Sequence, residues 1–371
     1  MKLTRIAKIG AIGAIAALAL AGCASNETTP AGGGSADPSA VTLSGEIAGS
    51  GASSQEVAVQ AWTAGFQTAN PDVTITYDPA GSGAGRESFQ AGAVAFAGSD
   101  RAFKIEEIEA GPFDGCVEGT NIVQLPTYIS PIAVIFNVEG VDALNLDPAT
   151  IAGLFAGTIT NWNDPAIAAL NEDATLPDLA VSPVHRADDS GTTENFTDYL
   201  YAAAPDVWTS EPDGVWPLQS GEAAQGTSGV VSAVAGGNGT IGYADASRAA
   251  EEGLSTAAVK VGDEFVTYSP EAAAAIVDAS PFEEGRADGD LAITIDRTSE
   301  EAGVYPIVLV SYMIACEEYA DPAVAPVVKG FLQYVASAEG QAAAADAAGS
   351  APISESLAEK VNAAIDLIVV E

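Results

Sequence analysis

Basic residues are scarce in this chain of 371 residues, which has 13 lysines and arginines against 51 aspartates and glutamates and a formal net charge of −38. A surface this acidic repels the backbone of nucleic acids, so the composition excludes nucleic acid as a partner. Any anion that the protein binds must be held by local dipoles and by one or two well-placed cations. We interpret the excess of acidic residues as a solubilising surface.

Histidine is nearly absent, since His185 is the only one in the chain. Zinc sites depend largely on histidine and cysteine, so the sequence predicts no metal site and no cofactor. A serine hydrolase needs a base within hydrogen-bond reach of its nucleophile. Neighbouring side chains of an extended segment point to opposite faces, so His185 faces away from a ligand that Arg186 contacts. We therefore predict a protein that is not an enzyme and has no catalytic residue.

Cysteine is also rare, with three residues in the chain. Cys23 belongs to the N-terminal region, which leaves Cys116 and Cys316 as an even pair. In an exported protein such a pair favours a disulfide over a metal site or a free thiol. The bond would close a loop of about 200 residues, for which the chain-entropy relation gives an upper value of about 5 kcal/mol.

The N-terminus has the layout of a secretory signal. Three basic residues and no acidic residue precede an apolar run over residues 9–20, which is too short for a comfortable membrane span. The run ends at Leu20-Ala21-Gly22-Cys23, which resembles the bacterial lipobox, where the signal is cut before a cysteine that then carries a lipid. We predict a signal peptide over residues 1–22, a lipid on Cys23, and a location on the outer face of the cell membrane. The alternative is a buried Cys23 behind an N-terminal helix.

Residues 23–41 contain almost no bulky apolar side chains, so they cannot bury enough surface to fold and should act as a flexible tether. The roughly 330 residues that follow exceed the usual size of one hydrophobic core, which predicts two lobes. Strand-like runs alternate with helical patterns, which indicates an α/β fold. The predicted strands cover residues 73–77, 94–97, 132–136, 181–184 and 307–314, and the predicted helices cover 54–69, 148–155, 165–170, 192–201, 325–337 and 353–367.

Three loops rich in glycine, serine and threonine each precede a predicted helix, at residues 49–54, 81–85 and 186–193. Helix starts expose unpaired N–H groups and the positive end of the helix dipole, and glycine lets an anion approach that backbone. Ordinary helix capping explains each loop equally well, and Ser53 and Glu56 have the spacing of a capping box. The three loops, with Arg186 and Asp100 at the ends of strands, together favour a site for a tetrahedral oxyanion.

From about residue 42 onward the sequence resembles the phosphate-binding proteins of bacterial phosphate-specific ABC transporters. The motifs that carry the resemblance stand in the family's order: GSGASS at 49–54, YDPAGSGAGR at 77–86, FAGSD at 96–100, NWNDPAI at 161–167, HRADDSGTTENF at 185–196 and GTIGYADA at 239–246. The resemblance implies a two-lobed α/β fold of the periplasmic-binding-protein type II, with two crossing hinge strands. It also implies a monomer that captures inorganic phosphate between its lobes and delivers it to the permease subunits of an ABC transporter.

Matching the motifs implies these phosphate-binding positions: Ser53, the backbone of Ser54, Ser82, Asp100, Arg186, Ser190, Gly191 and Thr192. One departure concerns Ser53-Ser54, where many members have Thr-Phe. The hydroxyl of the first residue is kept, but the apolar cover that phenylalanine provides is lost.

Two of these residues carry charge. Arg186 supplies a permanent positive charge and a planar fork for two oxygens, and an ion pair with Asp188 is compatible with that role. Asp100 is repelled by an anion unless the anion brings a proton, which phosphate does and sulfate does not. We therefore predict that Asp100 rejects sulfate, because a buried acceptor would be left unpaired. The alternatives are a capping role for Asp100 and a binding protein for sulfate, molybdate or an organic phosphate.

The chain is expected to cross between the lobes near residues 125–129 and 305–307. One lobe then comprises residues 42–125 and 306–371, and the other comprises residues 126–305. Cys116 and Cys316 both fall in the first lobe, so their disulfide would stiffen that lobe rather than lock the cleft.

Overall fold

A computed structural model describes residues 43–370, which contain eleven strands and twelve helices. The predicted signal peptide, Cys23 and the tether over residues 23–41 lie outside the described residues. The strands are β1 (Gly45–Gly51), β2 (Val73–Asp78), β3 (Phe96–Ser99), β4 (Ile122–Asn137), β5 (Leu144–Leu146), β6 (Ser182–Arg186), β7 (Glu222–Ala224), β8 (Thr240–Asp245), β9 (Ser255–Val261), β10 (Glu264–Val266) and β11 (Val308–Cys316).

The helices alternate with the strands over most of the chain, as an α/β fold requires. They are α1 (Glu56–Ala69), α2 (Ser82–Gln90), α3 (Ile105–Ala110), α4 (Pro148–Ala156), α5 (Pro165–Leu170), α6 (Gly191–Ala203), α7 (Gly226–Gly236), α8 (Ala246–Glu251), α9 (Pro270–Ala279), α10 (Ala325–Ala336), α11 (Ala338–Ala348) and α12 (Glu355–Asp366). All six predicted helices are present, with ends within two residues of the predicted ones. Helix α1 buries Val59, Trp62 and Phe66 on the face that the sequence predicts.

The sheet has the order β2-β1-β3-β11-β4-β8-β6-β7, and β9 joins it through β4. Strand β1 pairs in parallel with β2 and β3, and β6 pairs in parallel with β8 and β7. The antiparallel strands β11 and β4 lie between these two parallel groups. The carboxyl ends of β1, β2, β3 and β6 carry Asp100 and the loops that the sequence analysis singled out.

Strand β4 serves both halves of the sheet. Its residues 122–131 pair with β11, and its residues 132–137 pair with β8. Within β4, the sequence analysis predicted a strand only at residues 132–136. Pro126 and Pro131 in the first segment are unusual for a central strand. The structure accommodates Pro126 beside an irregularity in register between Ser311 and Tyr312, and Pro131 where the partner strand changes. Proline removes a backbone donor, so both are tolerated where regular pairing is interrupted.

The sulfurs of Cys116 and Cys316 form a disulfide, with their Cα atoms 5.4 Å apart, which is the pairing that the sequence predicts. Within residues 43–370, no helix combines the length and apolar character needed to cross a bilayer. No group of three or more histidine, cysteine, aspartate or glutamate side chains in that part of the chain has the arrangement of a metal site.

Candidate functional site

The candidate site lies where loops follow the carboxyl ends of parallel strands. Residues 53–54 follow β1, residues 81–82 follow β2, and Asp100 follows β3. Arg186 ends β6, and the loop after it leads into α6. Open α/β sheets bind ligands at such strand ends. Because the two parallel groups turn these ends toward each other, loops distant in sequence come into contact.

Asp100 is the centre of this contact. Its side chain is buried, with 3% of the residue exposed. The hydroxyl of Ser54 donates to both carboxylate oxygens, at 2.6 Å and 2.7 Å, and the hydroxyl of Thr192 donates to Oδ2 at 2.9 Å. The Asp100 N–H donates to the hydroxyl of Ser82 at 3.2 Å. The structure thus brings together four of the predicted positions, of which Ser54 and Thr192 contact the carboxylate of Asp100 and Ser82 contacts its backbone.

Burial raises the pKa of Asp100 above its ordinary value. Hydrogen bonds from Ser54 and Thr192 and the positive charge of Arg186 act in the opposite direction. The carboxylate is therefore costly to desolvate but is well supplied with donors. A ligand O–H can therefore donate to this carboxylate only alongside the hydroxyls of Ser54 and Thr192, or after it displaces one of them.

Gly191 lies where the loop before α6 closely approaches Asp100 and Ser82. A Cβ atom on this residue would lie 2.6 Å from Cβ of Asp100 and 2.8 Å from Oγ of Ser82, distances that no real side chain tolerates. The loop before α6 therefore contacts the loops after β2 and β3 too closely to admit a side chain at Gly191. A second contact nearby joins the N–H of Gly83 to the carbonyl of Asp189 at 3.2 Å.

Arg186 is buried and is held by Asp188. Its Nε donates to Oδ1 of Asp188 at 2.8 Å and its Nη2 donates to Oδ2 at 2.5 Å, a bidentate pair. Burial acts to raise the pKa of Asp188, but the hydrogen bonds and charge of Arg186 outweigh it and lower that pKa. The remaining Nη1 of Arg186 is 3.5 Å from the hydroxyl of Thr227. The predicted ion pair is thus formed, and it fixes the plane of the guanidinium.

Thr227 is a site residue that the sequence analysis missed. It lies in the first turn of α7 and is 1% exposed. The hydroxyls of Ser53 and Thr227 lie 3.1 Å apart, and the N–H of Thr227 donates to the same Ser53 oxygen at 3.2 Å. The signal in the sequence was Gln225-Gly226-Thr227-Ser228, a fourth loop rich in glycine, serine and threonine before a helix.

One predicted role differs in the structure. The capping box of Ser53 and Glu56 is wrong, because α1 begins after Gln55 without a side-chain cap and Ser53 is engaged by Thr227. Ser190 caps α6 by accepting a hydrogen bond from the N–H of Thr193 at 3.2 Å. The oxygen of Ser190 therefore accepts at the helix start, while its O–H and the N–H groups of the first turn remain as donors.

The histidine lies as expected for a residue outside the site. The His185 ring stacks on Trp216, with ring centroids 4.9 Å apart and planes inclined by 9°. Its Nδ1 is 2.9 Å from the carbonyl of Arg186. The guanidinium of Arg186 instead contacts Asp188 and Thr227, so the two neighbouring side chains have different partners.

A second buried arginine supports the edge of the site. Arg86 of α2 donates from Nη1 to the hydroxyl of Ser99 at 2.8 Å, and its Nη2 lies 3.6 Å from Oδ1 of Asp189. The sequence analysis did not assign Arg86 a role, although it ends the YDPAGSGAGR motif. Since Asp189 adjoins the loop before α6, Arg86 links that loop to the end of β3.

A cavity of about 530 Å³ lies beside Asp100. Four basic residues line it: Arg101, Lys104, Arg286 and Arg297. Each forms an ion pair with a neighbouring carboxylate. The cavity therefore offers no uncommitted cation, and the anion-binding features remain those around Asp100 and Arg186.

Comparison with known proteins is consistent with this geometry. The PBP superfamily domain matches residues 28–339. The phosphate-binding protein PstS3 of Mycobacterium bovis (strain BCG / Pasteur 1173P2) is 34% identical over 377 residues, covering 99% of this chain and 100% of the relative. The phosphate-binding protein PstS 2 of Mycobacterium tuberculosis (strain ATCC 25618 / H37Rv) is 32% identical over 374 residues, with 99% and 100% covered.

Solved structures share the fold. A high-affinity periplasmic phosphate-binding protein (PfluDING) bound with phosphate superposes with a TM-score of 0.67 at 22% identity, covering 86% of this chain and 93% of that one. A substrate-binding protein of a phosphate ABC transporter from Clostridium perfringens, described as putative and with bound phosphate, gives 0.57 at 21% identity, covering 82% and 98%. The fold is thus the type II periplasmic-binding-protein fold that the sequence predicts. The family match and the 34% identity over the full length show that the chain belongs to the PBP superfamily and, within it, to the phosphate-binding proteins (PstS). These are the substrate-binding proteins of phosphate ABC transporters and are not enzymes.

Proposed function

We propose that this protein captures one inorganic phosphate ion at the site around Asp100 and Arg186 and delivers it to an ABC permease. The observation that carries the proposal is that two buried charged groups lie at the ends of parallel strands. One is the carboxylate of Asp100, which accepts from two hydroxyls, and the other is Arg186, which Asp188 orients. Phosphate near neutral pH carries both protonated and unprotonated oxygens, so it can use an acceptor and several donors at once. Family membership supports the same ligand.

The proposed ligand contacts follow from the groups that the site offers. Arg186, oriented by Asp188, faces two phosphate oxygens, and the N–H groups at the start of α6 donate from Gly191 and Thr192. Further donors lie on the opposite side: the hydroxyls of Ser53 and Ser82 and the backbone N–H of Ser54. Thr227 is an additional donor on that side. Ser190, whose oxygen caps α6 as an acceptor, donates through its O–H.

We further propose that residues 42–125 with 306–371 and residues 126–305 form two lobes that open and close on the ligand. The division of β4 between two partner strands supports a hinge near residue 131, where pairing passes from β11 to β8. Binding would then favour the closed arrangement, because only that arrangement brings Gly191 against Asp100.

The same proposal includes export and anchoring. Cleavage before Cys23 and a lipid on its thiol would hold the protein at the outer face of the membrane, with residues 23–41 as a tether, and the protein would work there as a monomer. Both features rest on the N-terminal sequence pattern.

Calorimetric titration of the full-length protein, freed of bound ligand, tests the proposed ligand. We expect tight one-to-one binding of phosphate, weaker binding of sulfate, and a loss of at least about 100-fold in phosphate affinity in Arg186→Gln, because a buried bidentate contact is removed. Lys329→Gln, far from the strand ends in helix α10, is the matched charge control and should bind phosphate normally. Tighter binding of sulfate, molybdate or an organic phosphate would reassign the ligand.

A further inference from the structure

The hydroxyl of Ser54 contacts both carboxylate oxygens of Asp100. Its Oγ lies almost equally far from the two carboxylate oxygens, at 2.6 Å and 2.7 Å. A donor at nearly equal distances lies between the two oxygens, where one O–H reaches both of them. Ser54 is 1% exposed, so water does not compete for this position.

Thr192 takes a further acceptor position on Oδ2, at 2.9 Å. An ionised carboxylate has about four lone-pair positions. The hydroxyls of Ser54 and Thr192 already use part of these positions. A ligand proton must therefore displace Ser54 or share the carboxylate with it, so Asp100 is not the bare acceptor that the sequence analysis assumed.

This arrangement changes the basis of ligand discrimination. A bare buried carboxylate penalises an anion without a proton, because it is left unpaired as well as repelled. With Ser54 in place the carboxylate stays paired whatever the ligand brings, and only the charge repulsion remains. We propose, building on the proposed function, that Ser54 is a specificity-determining residue that narrows the preference of this protein for protonated over fully ionised oxyanions.

Ser54 acts through Asp100 in this proposal, so it is a positioning residue and its effect must vanish when the carboxylate is removed. In Ser54→Ala the carboxylate keeps Thr192 but loses the donor that reaches both of its oxygens, and a proton from phosphate becomes the replacement that sulfate cannot supply. Asp100→Asn carries no charge and has its own N–H donor, so Ser54 no longer affects the choice of ligand.

The test is calorimetric titration of the full-length protein with inorganic phosphate and with sulfate at about pH 8. We expect the ratio of phosphate to sulfate affinity to rise by about tenfold or more in Ser54→Ala, the effect of one hydrogen bond to a charged group. Ser54→Thr keeps the hydroxyl and should retain the original ratio. In the Asp100→Asn background, Ser54→Ala should leave the ratio unchanged, which a double-mutant cycle measures.

Ser50→Ala is the matched control, since Ser50 is a buried serine at the end of β1 whose hydroxyl donates to the carbonyl of Asp78 instead. An unchanged or lower ratio in Ser54→Ala would overturn the inference, and so would an equal rise in the Asp100→Asn background. Failure of the original protein to bind phosphate would instead overturn the proposed function, so the two failures are distinguishable.

Discussion

The guanidinium of Arg248 lies 2.7 Å from the carboxylate of Glu56, although 192 residues separate them in the chain. Glu56 begins α1, in one proposed lobe, and Arg248 lies in α8, in the other. Arg248 also pairs with Glu251 of its own helix at 2.8 Å. Arg248 thus makes one ion pair between the proposed lobes and one within a lobe. Substituting each acidic partner in turn therefore distinguishes the effect of the first ion pair from that of the second.

Glu56→Gln should weaken phosphate binding by about two- to fivefold, because the closed arrangement loses one partly exposed ion pair. Glu251→Gln removes the other partner of the same arginine and should leave the affinity unchanged. Calorimetric titration of both variants measures the difference. Equal effects of the two substitutions would mean that the pair with Glu56 does not act between lobes.

The Gly191→Ala variant tests the close approach of the loops. A methyl group at this position would be 2.6 Å from Cβ of Asp100 and 2.8 Å from Oγ of Ser82, so the loop before α6 must move away. Overpacking of this kind costs about 1–3 kcal/mol. We expect phosphate affinity to fall by about tenfold in calorimetric titration.

The control for this variant is Gly236→Ala at the end of α7, where an added Cβ meets nothing within 4 Å. It should bind phosphate as the original protein does. Normal binding by Gly191→Ala would contradict the proposal that ligand binding requires this contact.

Some of the site could be predicted from the sequence because its chemistry is local. Strand ends, helix starts and glycine-rich turns are encoded within a few residues, so the loops at 49–54, 81–85 and 186–193 were found together with Asp100 and Arg186. The pair of Arg186 and Asp188 is also local, since two residues separate them.

The rest depends on which loops meet, which is a property of the sheet order. Thr227 contacts Ser53 across 174 residues and Ser54 contacts Asp100 across 46, and neither pairing has a local signal. The same holds for β4, whose first half is defined by pairing with β11 despite its prolines. The capping box was wrong because the hydroxyl of Ser53 had a better partner in Thr227 than its own helix offered.

Asp245 gives a prediction about pH. It ends β8, is fully buried, and accepts hydrogen bonds from the N–H of Ser247 at 3.0 Å and from the hydroxyl of Tyr128 at 3.1 Å. Burial, opposed by hydrogen bonds from Ser247 and Ser130, raises its pKa from 3.8 to about 6. The folded state therefore holds this proton more tightly than the unfolded state, and stability is lost as the pH rises from about 4 to about 6.

Asparagine does not ionise, so Asp245→Asn removes this loss of stability. Its amide oxygen can still accept the hydrogen bond from the N–H of Ser247. A rise of about two in a pKa corresponds to about 3 kcal/mol. The unfolding free energy of the variant, relative to the original protein, should therefore improve by up to about 3 kcal/mol between about pH 3.5 and pH 7. Urea denaturation across this range measures it, with the exposed Asp263→Asn as the control. A difference that does not change with pH would contradict the prediction.

The disulfide between Cys116 and Cys316 should stabilise one proposed lobe without controlling the site. Both cysteines belong to residues 42–125 or 306–371, and the bond closes a loop with a sequence separation of 200. Replacing both by serine should lower the unfolding free energy by about 2–5 kcal/mol, while phosphate affinity stays within about twofold. Denaturation and titration of the double variant measure the two quantities, and a reducing agent should affect only the original protein. If the variant kept both lobes folded but lost phosphate binding, the bond would have to control the opening and closing of the lobes, and the proposed lobe boundaries would be wrong.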